Sequence, residues 1–264
     1  MNISITIPVF NGSKTIEKLV NEINENLDNL NLSYEIFLID DFSTDNSWAC
    51  IENLCKKYNF VKGIKLKSNY GQHNATMAGL NYCSGNFTII MDDDLQHNPK
   101  YILKIINKLK EGYDLCYCNF IERKHTIWKI TVSIINNLIL SLGTSKPFNI
   151  YASPYRGVSK STYLKVIKNK ANFIFLDVLI LNTKPKLNKI DIFHEKRAEG
   201  VTQYNFFKLF KLWFQMFASI KLNLLNLIIF FFPKLIAHIF LLSVKIFSQH
   251  KNQYIIEKKL NLND

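Results

Sequence analysis

Residues 89–99 read IIMDDDLQHNP: an apolar run that ends in three consecutive carboxylates, followed by Gln96, His97 and Pro99. Three adjacent anions repel one another, and a chain of formal net charge +12 has no need of an acidic knot for solubility. Asp92 and Asp94 are two apart, so in extended chain they point the same way. With the amide oxygen of Gln96 they make a hard oxygen set suited to Mg²⁺ or Mn²⁺, ions that keep positions open for phosphate oxygens. The other reading is an acidic turn, with Asp94 capping the helix that follows and the other two solvated. The spacing alone decides nothing; the position of the cluster in the fold does.

That position follows from the stretches around it. From residue 1 to about 120, short β-branched runs alternate with helical patterns. The strands are predicted at 3–10, 34–40, 60–67, 86–92 and 113–120, with helices between them. Such alternation implies a mostly parallel sheet flanked by helices. Ligands of these sheets bind beyond the carboxyl ends of the strands. The acidic cluster falls at the end of the fourth strand and IDDFSTD, residues 39–45, at the end of the second, so both carboxylate groups face one crevice.

Beyond residue 123 the alternation loosens. An amphipathic helix is expected over 127–142, SPYRGVSKS (153–161) reads as a strand entering a helix, and NFIFLDVLIL is apolar around one acid, Asp177. Asp177 reads either as a base whose pKa burial would raise, or as a helix cap or packed, hydrogen-bonded acid. The chain thus divides into an alternating half over 1–122, a looser half of the same domain over 123–205, and a basic, apolar helical tail over 206–264, the first two being the halves that the resemblance given below implies for nucleotide-sugar and acceptor. In the tail, residues 206–217 put Lys208, Lys211 and Gln215 on one face amid Phe and Leu, which suits a membrane interface. The uncharged run 222–233 is 12 residues, too short for a span of about 20. A core helix pair or a homo-oligomer interface are the other readings of this apolar surface.

Composition narrows the partners. Of 33 basic residues only Arg123, Arg156 and Arg197 are arginine. Arginine kept in so lysine-biased a chain suggests two-pronged contacts with phosphate or carboxylate. No basic stripe interleaved with aromatics indicates nucleic acid, so anionic substrates or an anionic membrane surface fit better. The five cysteines form no C-x-x-C pair and read as free thiols. Cys116 and Cys118 read as core, and His73, His97 and His194 as polar contacts. The N-terminus reads as a strand, not a signal peptide. No G-x-G-x-x-G follows the first strand, which argues against a dinucleotide oxidoreductase.

SITIPVFN, LIDDFSTDNS, NYGQHNATMAGLNYCSGNFTIIMDDDLQHNP, SPYRGVSK and HEKRAEGVTQY stand in the order and rough spacing of family 2 glycosyltransferases. The chain most resembles the polyprenyl-phosphate and dolichyl-phosphate sugar synthases, over residues 1–210. The resemblance implies a GT-A fold, a nucleotide-sugar donor, Mg²⁺ or Mn²⁺, and inversion at the anomeric carbon. It places Pro8, Phe10 and Asn11 at the base and ribose, Asp40 and Asp41 on the nucleoside, and Gly71 and Gln72 beside them. Asp92 and Asp93 would lie against ribose and diphosphate, with Asp92, Asp94 and Gln96 at the metal. Arg123, Arg156 and Arg197 match arginines that meet donor or acceptor phosphates.

Four departures stand out. Gly12 replaces a usual Glu, Phe42 a usual Gly or Asn, Asp93 a usual small residue, and Thr202-Gln203 a common Ser-Lys or Ser-Gly. The expected function is transfer of a sugar to a lipid-linked acceptor, polyprenyl phosphate being favoured, in bacterial-type surface glycan synthesis at the cytoplasmic membrane face. Transfer to a sugar hydroxyl with Asp177 as base is the alternative. A membrane-bound nucleotide-sugar-binding protein without turnover is the non-enzymatic one.

Overall fold

The computed structural model describes residues 2–30, 32–121, 134, 137–138, 140–144, 146–169, 175–193 and 254–262. Arg123, Arg197, His194, Thr202, Gln203 and the tail up to residue 253 lie outside the described residues, as does most of the 127–142 helix; the described residues within that range are helical.

The chain order is β1 (Asn2–Val9), α1 (Ile16–Leu27), β2 (Ser33–Asp40), α2 (Ser47–Lys57), β3 (Val61–Leu66), α3 (Gln72–Leu80), β4 (Phe87–Ile90), α4 (Ile102–Lys110) and β5 (Leu115–Ile121). Then come β6 (Arg156–Ser159), α5 (Lys160–Ile167), α6 (Leu176–Asn182), β7 (Leu187–Phe193) and β8 (Ile256–Leu260). The eight strands form one sheet in the order β7-β5-β6-β4-β1-β2-β3-β8. β6 runs antiparallel between β4 and β5, and β8 antiparallel on β3; the other strands are parallel. This is the mostly parallel, helix-flanked sheet that the alternation predicted.

β1 lies at the centre, between β4 and β2. Ile3, Ile5, Ile7 and Val9 are fully buried, and so are Ser4 and Thr6, as expected of a parallel strand covered on both faces. On one face α1 and α4 cover it. Ile16, Leu19, Val20, Ile23 and Leu27 of α1 recur at helical spacing, as do Ile102, Ile105, Ile106 and Leu109 of α4. Each contributes on the order of 2 kcal/mol by burial. On the other face lie α3, α5 and α6, bringing Met77, Leu80, Tyr163, Leu176 and Ile180. At the amino ends of the strands, Glu35 accepts from Ser4 Oγ (2.6 Å), Ser84 N and Oγ (2.8 Å each) and Lys62 Nζ (2.6 Å). This buried staple leaves the opposite edge free for the site.

β8 corrects the reading of residues 206–264 as helical throughout. Its charged residues pair with the core domain: Lys258 Nζ with Glu52 at 2.6 Å and Glu257 with Lys65 at 3.4 Å. Asn261 Nδ2 donates to Cys55 O (2.7 Å) and Val61 O (2.8 Å). A charged strand is suited to a sheet edge, where it blocks further pairing. The described chain thus leaves the sheet at Phe193, at the carboxyl end of β7, and rejoins it at Ile256, beside the carboxyl end of β3.

Candidate active site

Four adjacent parallel strands, β4, β1, β2 and β3, end at one edge. Each is followed by a loop with one residue in the left-handed region: Leu95 (φ 63°), Asn11 (57°), Phe42 (64°) and Gly71 (87°). Only the last is glycine. Three non-glycine residues held there cost of order 1 kcal/mol each and concentrate strain at this edge.

The loops are cross-tied. Asn11 Oδ1 accepts from Thr44 N (2.8 Å) and Oγ1 (3.2 Å), and Asn11 N donates to Ser43 Oγ (3.0 Å). Asn11 thereby clips the β1 loop to the β2 loop. Pro8 pairs beside Ile39 of β2, just past the last β4 partner at Thr6, where its missing N–H removes no bond to β4. Phe10 follows at the rim, half-buried.

Asp40 and Asp41, read together from sequence, differ in structure. Both oxygens of Asp41 are occupied, by Tyr70 N (2.7 Å) and Gly71 N (2.8 Å), so Asp41 positions the loop that carries Gly71 and Gln72. Burial pushes its pKa up to about 6 despite those two donors. Asp40 accepts from Ser43 N at 3.3 Å through Oδ1. Its Oδ2 is buried with no partner among the described residues, and burial raises its pKa too. An unsatisfied buried acceptor is costly.

The acidic turn deals its three carboxylates to three addresses. Asp92 Oδ1 accepts from Gln72 Nε2 of α3. Asp93 Oδ2 lies over Gly12. Asp94 Oδ1 accepts from Gln96 N at 3.2 Å. The left-handed Leu95 turns the chain back so that Asp94 and Gln96 approach each other. Asn98, not Asp94, caps the helical turn that follows, through Lys100 N (2.9 Å).

His97 is a residue whose role sequence reasoning did not see. Its Nδ1 accepts from Asp92 N (2.9 Å), and its ring is stacked between Tyr155 (5.0 Å) and Phe120 (5.8 Å), only 4% exposed. It is a polar contact, as expected, but one that holds the backbone of the acidic turn. No sequence signal distinguishes it, because the contact depends on how the turn folds back.

Arg156 was expected to meet phosphate, and Asp177 to be either a base or a capping or packed, hydrogen-bonded acid. The structure brings them to each other. Arg156, 3% exposed in β6, bonds Asp177 Oδ1 through Nη1, and the same Nη1 donates to Ser153 O at 3.3 Å. Tyr117 OH also donates to Asp177 Oδ1, at 2.8 Å. This is the geometry of a packed, hydrogen-bonded acid in the first turn of α6, with its charge already met. Nearby, burial lowers the pKa of His73 to about 4, so its ring is neutral at pH 7. Lys146, pushed down to about 8 by burial, gives its Nζ to Asn137 Oδ1 (2.7 Å), Pro147 O (3.1 Å) and Ile150 O (2.5 Å).

Asp92, Asp94 and Gln96 carry the carboxylate and amide oxygens that a hard divalent cation takes, although in this structure Asp92 Oδ1 and Asp94 Oδ1 accept from Gln72 Nε2 and Gln96 N. Among the described residues no three His, Cys, Asp or Glu side chains converge on one point. Two carboxylates and an amide oxygen on one strained turn leave most positions of a hard cation to phosphate and water, which is how Mg²⁺ is usually held with substrate phosphates.

The model of the family "Glycosyl transferase family 2" matches residues 4–166. The undecaprenyl-phosphate 4-deoxy-4-formamido-L-arabinose transferase of Proteus mirabilis is 28% identical over 227 residues, 86% of this chain and 70% of the relative. The enzyme of the same name from Shewanella sediminis is 31% identical over 218 residues, 82% of this chain and 66% of that one. Among solved structures, glucosyl-3-phosphoglycerate synthase from Mycobacterium tuberculosis with Mn²⁺, UDP-glucose and phosphoglyceric acid superposes with a TM-score of 0.61, at 15% identity, over 83% of this chain and 78% of that one. That likeness shows the fold, GT-A.

Proposed function

The chain belongs to glycosyl transferase family 2, and on that premise we propose that it transfers a sugar from a nucleotide-sugar to polyprenyl phosphate, with inversion, in surface glycan synthesis. The observation that carries this reading is the turn 92–96, whose oxygens sit at the carboxyl edge of the sheet on a strained backbone. The relatives named for undecaprenyl-phosphate transfer support the acceptor class.

In this reading Asp92, Asp94 and Gln96 would hold Mg²⁺ or Mn²⁺, which supplies charge stabilisation to the departing diphosphate. Phe10, Asn11 and Asp40 line the nucleoside end. The bare Oδ2 of Asp40 is an acceptor for a base or ribose donor reached by a small local movement. Asp41 sets Gly71 and Gln72, and Gln72 in turn holds Asp92. His97 keeps the turn in register. Arg123 and Arg197 remain proposed phosphate ligands on sequence grounds.

The acceptor follows from Asp177. A phosphate monoester is largely ionised at neutral pH and needs no base. A sugar hydroxyl does need one, and Asp177, tied to Arg156 and Tyr117, is already engaged. The geometry therefore favours polyprenyl phosphate over the hydroxyl alternative.

Membrane placement rests on topology. The basic, apolar residues 206–247 lie in the chain between β7, which ends at Phe193 at the carboxyl edge of the sheet, and β8, which starts at Ile256 beside Leu66. Those ends are seven strand spacings apart, roughly 35 Å. No helix among the described residues is long and apolar enough to cross a membrane. A lipid-linked acceptor at the cytoplasmic membrane face is part of the proposal, supported by the basic, apolar composition of residues 206–247.

The test is nucleotide release from a panel of UDP-, GDP- and dTDP-sugars with Mn²⁺, with and without polyprenyl phosphate. Acceptor-dependent release supports the proposal. Donor binding without release favours a non-catalytic sugar-nucleotide-binding protein.

A further inference from the structure

From Ala75 to Leu80 every residue of α3 is buried. Six consecutive residues point all round a helix, so α3 needs cover beyond the sheet it lies on. One side rests directly on β1 and β2: a Cβ built on Gly79 would lie 2.5 Å from Thr6 Cγ2 and 2.7 Å from Ile39 Cδ1. Met77 and Leu80 pack with Tyr163, Leu176 and Ile180 of α5 and α6. Ala75 and Ala78 join a second apolar group with Ile39 and Ile64, and Tyr254, Ile256 and Leu262 from the far end of the chain pack against it. Tyr254 packs against both groups. The same segment holds both ends of the β3–α3 unit. Ile255 O accepts from Lys67 N (2.9 Å), where β3 gives way to the loop into α3. Tyr254 OH accepts from Asn81 Nδ2 (2.8 Å) at the C-cap of α3.

We infer that Tyr254 is a positioning residue of the site, acting through α3: with Ile255 and Ile256 it clasps the β3–α3 unit so that Gln72, in the first turn of that helix, meets Asp92 of the acidic turn. Gln72 Nε2 donates to Asp92 Oδ1. The loop before it hangs on Asp41, through Tyr70 N, Gly71 N and Asn69 Nδ2. Those bonds hold the loop and leave the outer face of the helix to the clasp. α3 has 9 residues, so it is a rod of roughly 14 Å. A close-packed rod of that length passes a shift at its covered side on to its first turn. β8 keeps the clasp in place. Lys258 Nζ lies 5.8 Å from the Trp48 ring centroid and pairs with Glu52, while Lys259 Nζ lies 5.5 Å from that of Tyr82. The last strand of the chain thereby sets the geometry of a turn more than half the sequence away. Its bearing on the donor and metal rests on the transferase reading above.

The experiment measures two things on the full chain. One is amide hydrogen exchange at residues 70–76, without metal or nucleotide. The other is the Mn²⁺ half-saturation of nucleoside diphosphate binding, by calorimetry. Tyr254→Ala should speed exchange at those amides about tenfold and raise the Mn²⁺ half-saturation about tenfold. Tyr254→Phe keeps the ring over α3 and should hold both within about threefold of the parent. Ile23→Val in α1, on the opposite face of the sheet, loses stability without touching α3 and should leave both within about twofold. Parent-like readings in Tyr254→Ala, or an equal rise in Ile23→Val, would overturn the inference. If Tyr254→Ala fails to fold, Ile256→Ala, which thins the same cover, carries the same expectations. A parent that binds no nucleoside diphosphate would count against the transferase reading itself, while exchange at 70–76 would still decide the inference.

Discussion

Arg156 and Asp177 form a buried ion pair that joins the antiparallel strand β6 to the first turn of α6. Removing one partner of such a pair leaves an uncompensated charge inside the domain. Asp177→Asn should therefore destabilise the fold by about 3–5 kcal/mol, read as a lower denaturation midpoint at an unchanged slope. A base without a structural role would behave in the opposite way, with turnover lost and stability kept.

Asp94 is only partly buried, and its bond to Gln96 N is local. Asp94→Ala should leave the melting temperature within a few degrees of the parent and abolish the dependence of donor binding on Mn²⁺. Equal Mn²⁺ titrations of variant and parent would remove Asp94 from the metal set.

Phe42 is 46% exposed at φ 64°. A bulky residue gains little there and bears the left-handed cost, which is the physical reason a Gly or Asn suits the position. Phe42→Asn should raise stability by about 0.5–1 kcal/mol in urea titration. A loss of stability would show that the ring has a packing partner that outweighs the strain.

Asp41 gives a pH signature. Burial raises its folded pKa to about 6 from the ordinary carboxylate value of 3.8, so between those values the folded state binds the extra proton. Stability from this group is greatest below about pH 4 and falls as pH rises towards 6. Relative to Asp41→Asn, the parent should gain up to about 3 kcal/mol on acidification across that window. A difference between the two that does not change from pH 7 to 4 would contradict the burial of this carboxylate.

Much of this architecture was legible in the chain. The β-branched runs and the spacing of Ile16, Leu19, Ile23 and Leu27 gave strands and helices, because burial dictates local periodicity. The acidic ends of β2 and β4 gave the edge of the sheet that carries the site. What stayed hidden depended on contacts between distant residues. Arg156 and Asp177 are 21 positions apart and each looked like a separate functional group. Lys258 reaches Glu52 across 206 positions, so a short charged strand passed for part of the basic, apolar helical tail. The left-handed Leu95 leaves no trace in composition, although it shapes the acidic turn.

The most direct test of the central claim is the mass of the lipid product formed from a sugar donor and Mn²⁺ with either polyprenyl phosphate or the corresponding dephosphorylated polyprenol. The account predicts one sugar residue added to polyprenyl phosphate, with matching release of nucleoside diphosphate, and no product from the alcohol. Transfer to a sugar hydroxyl of a lipid-linked glycan, with polyprenyl phosphate left unmodified across the donor panel, would contradict it.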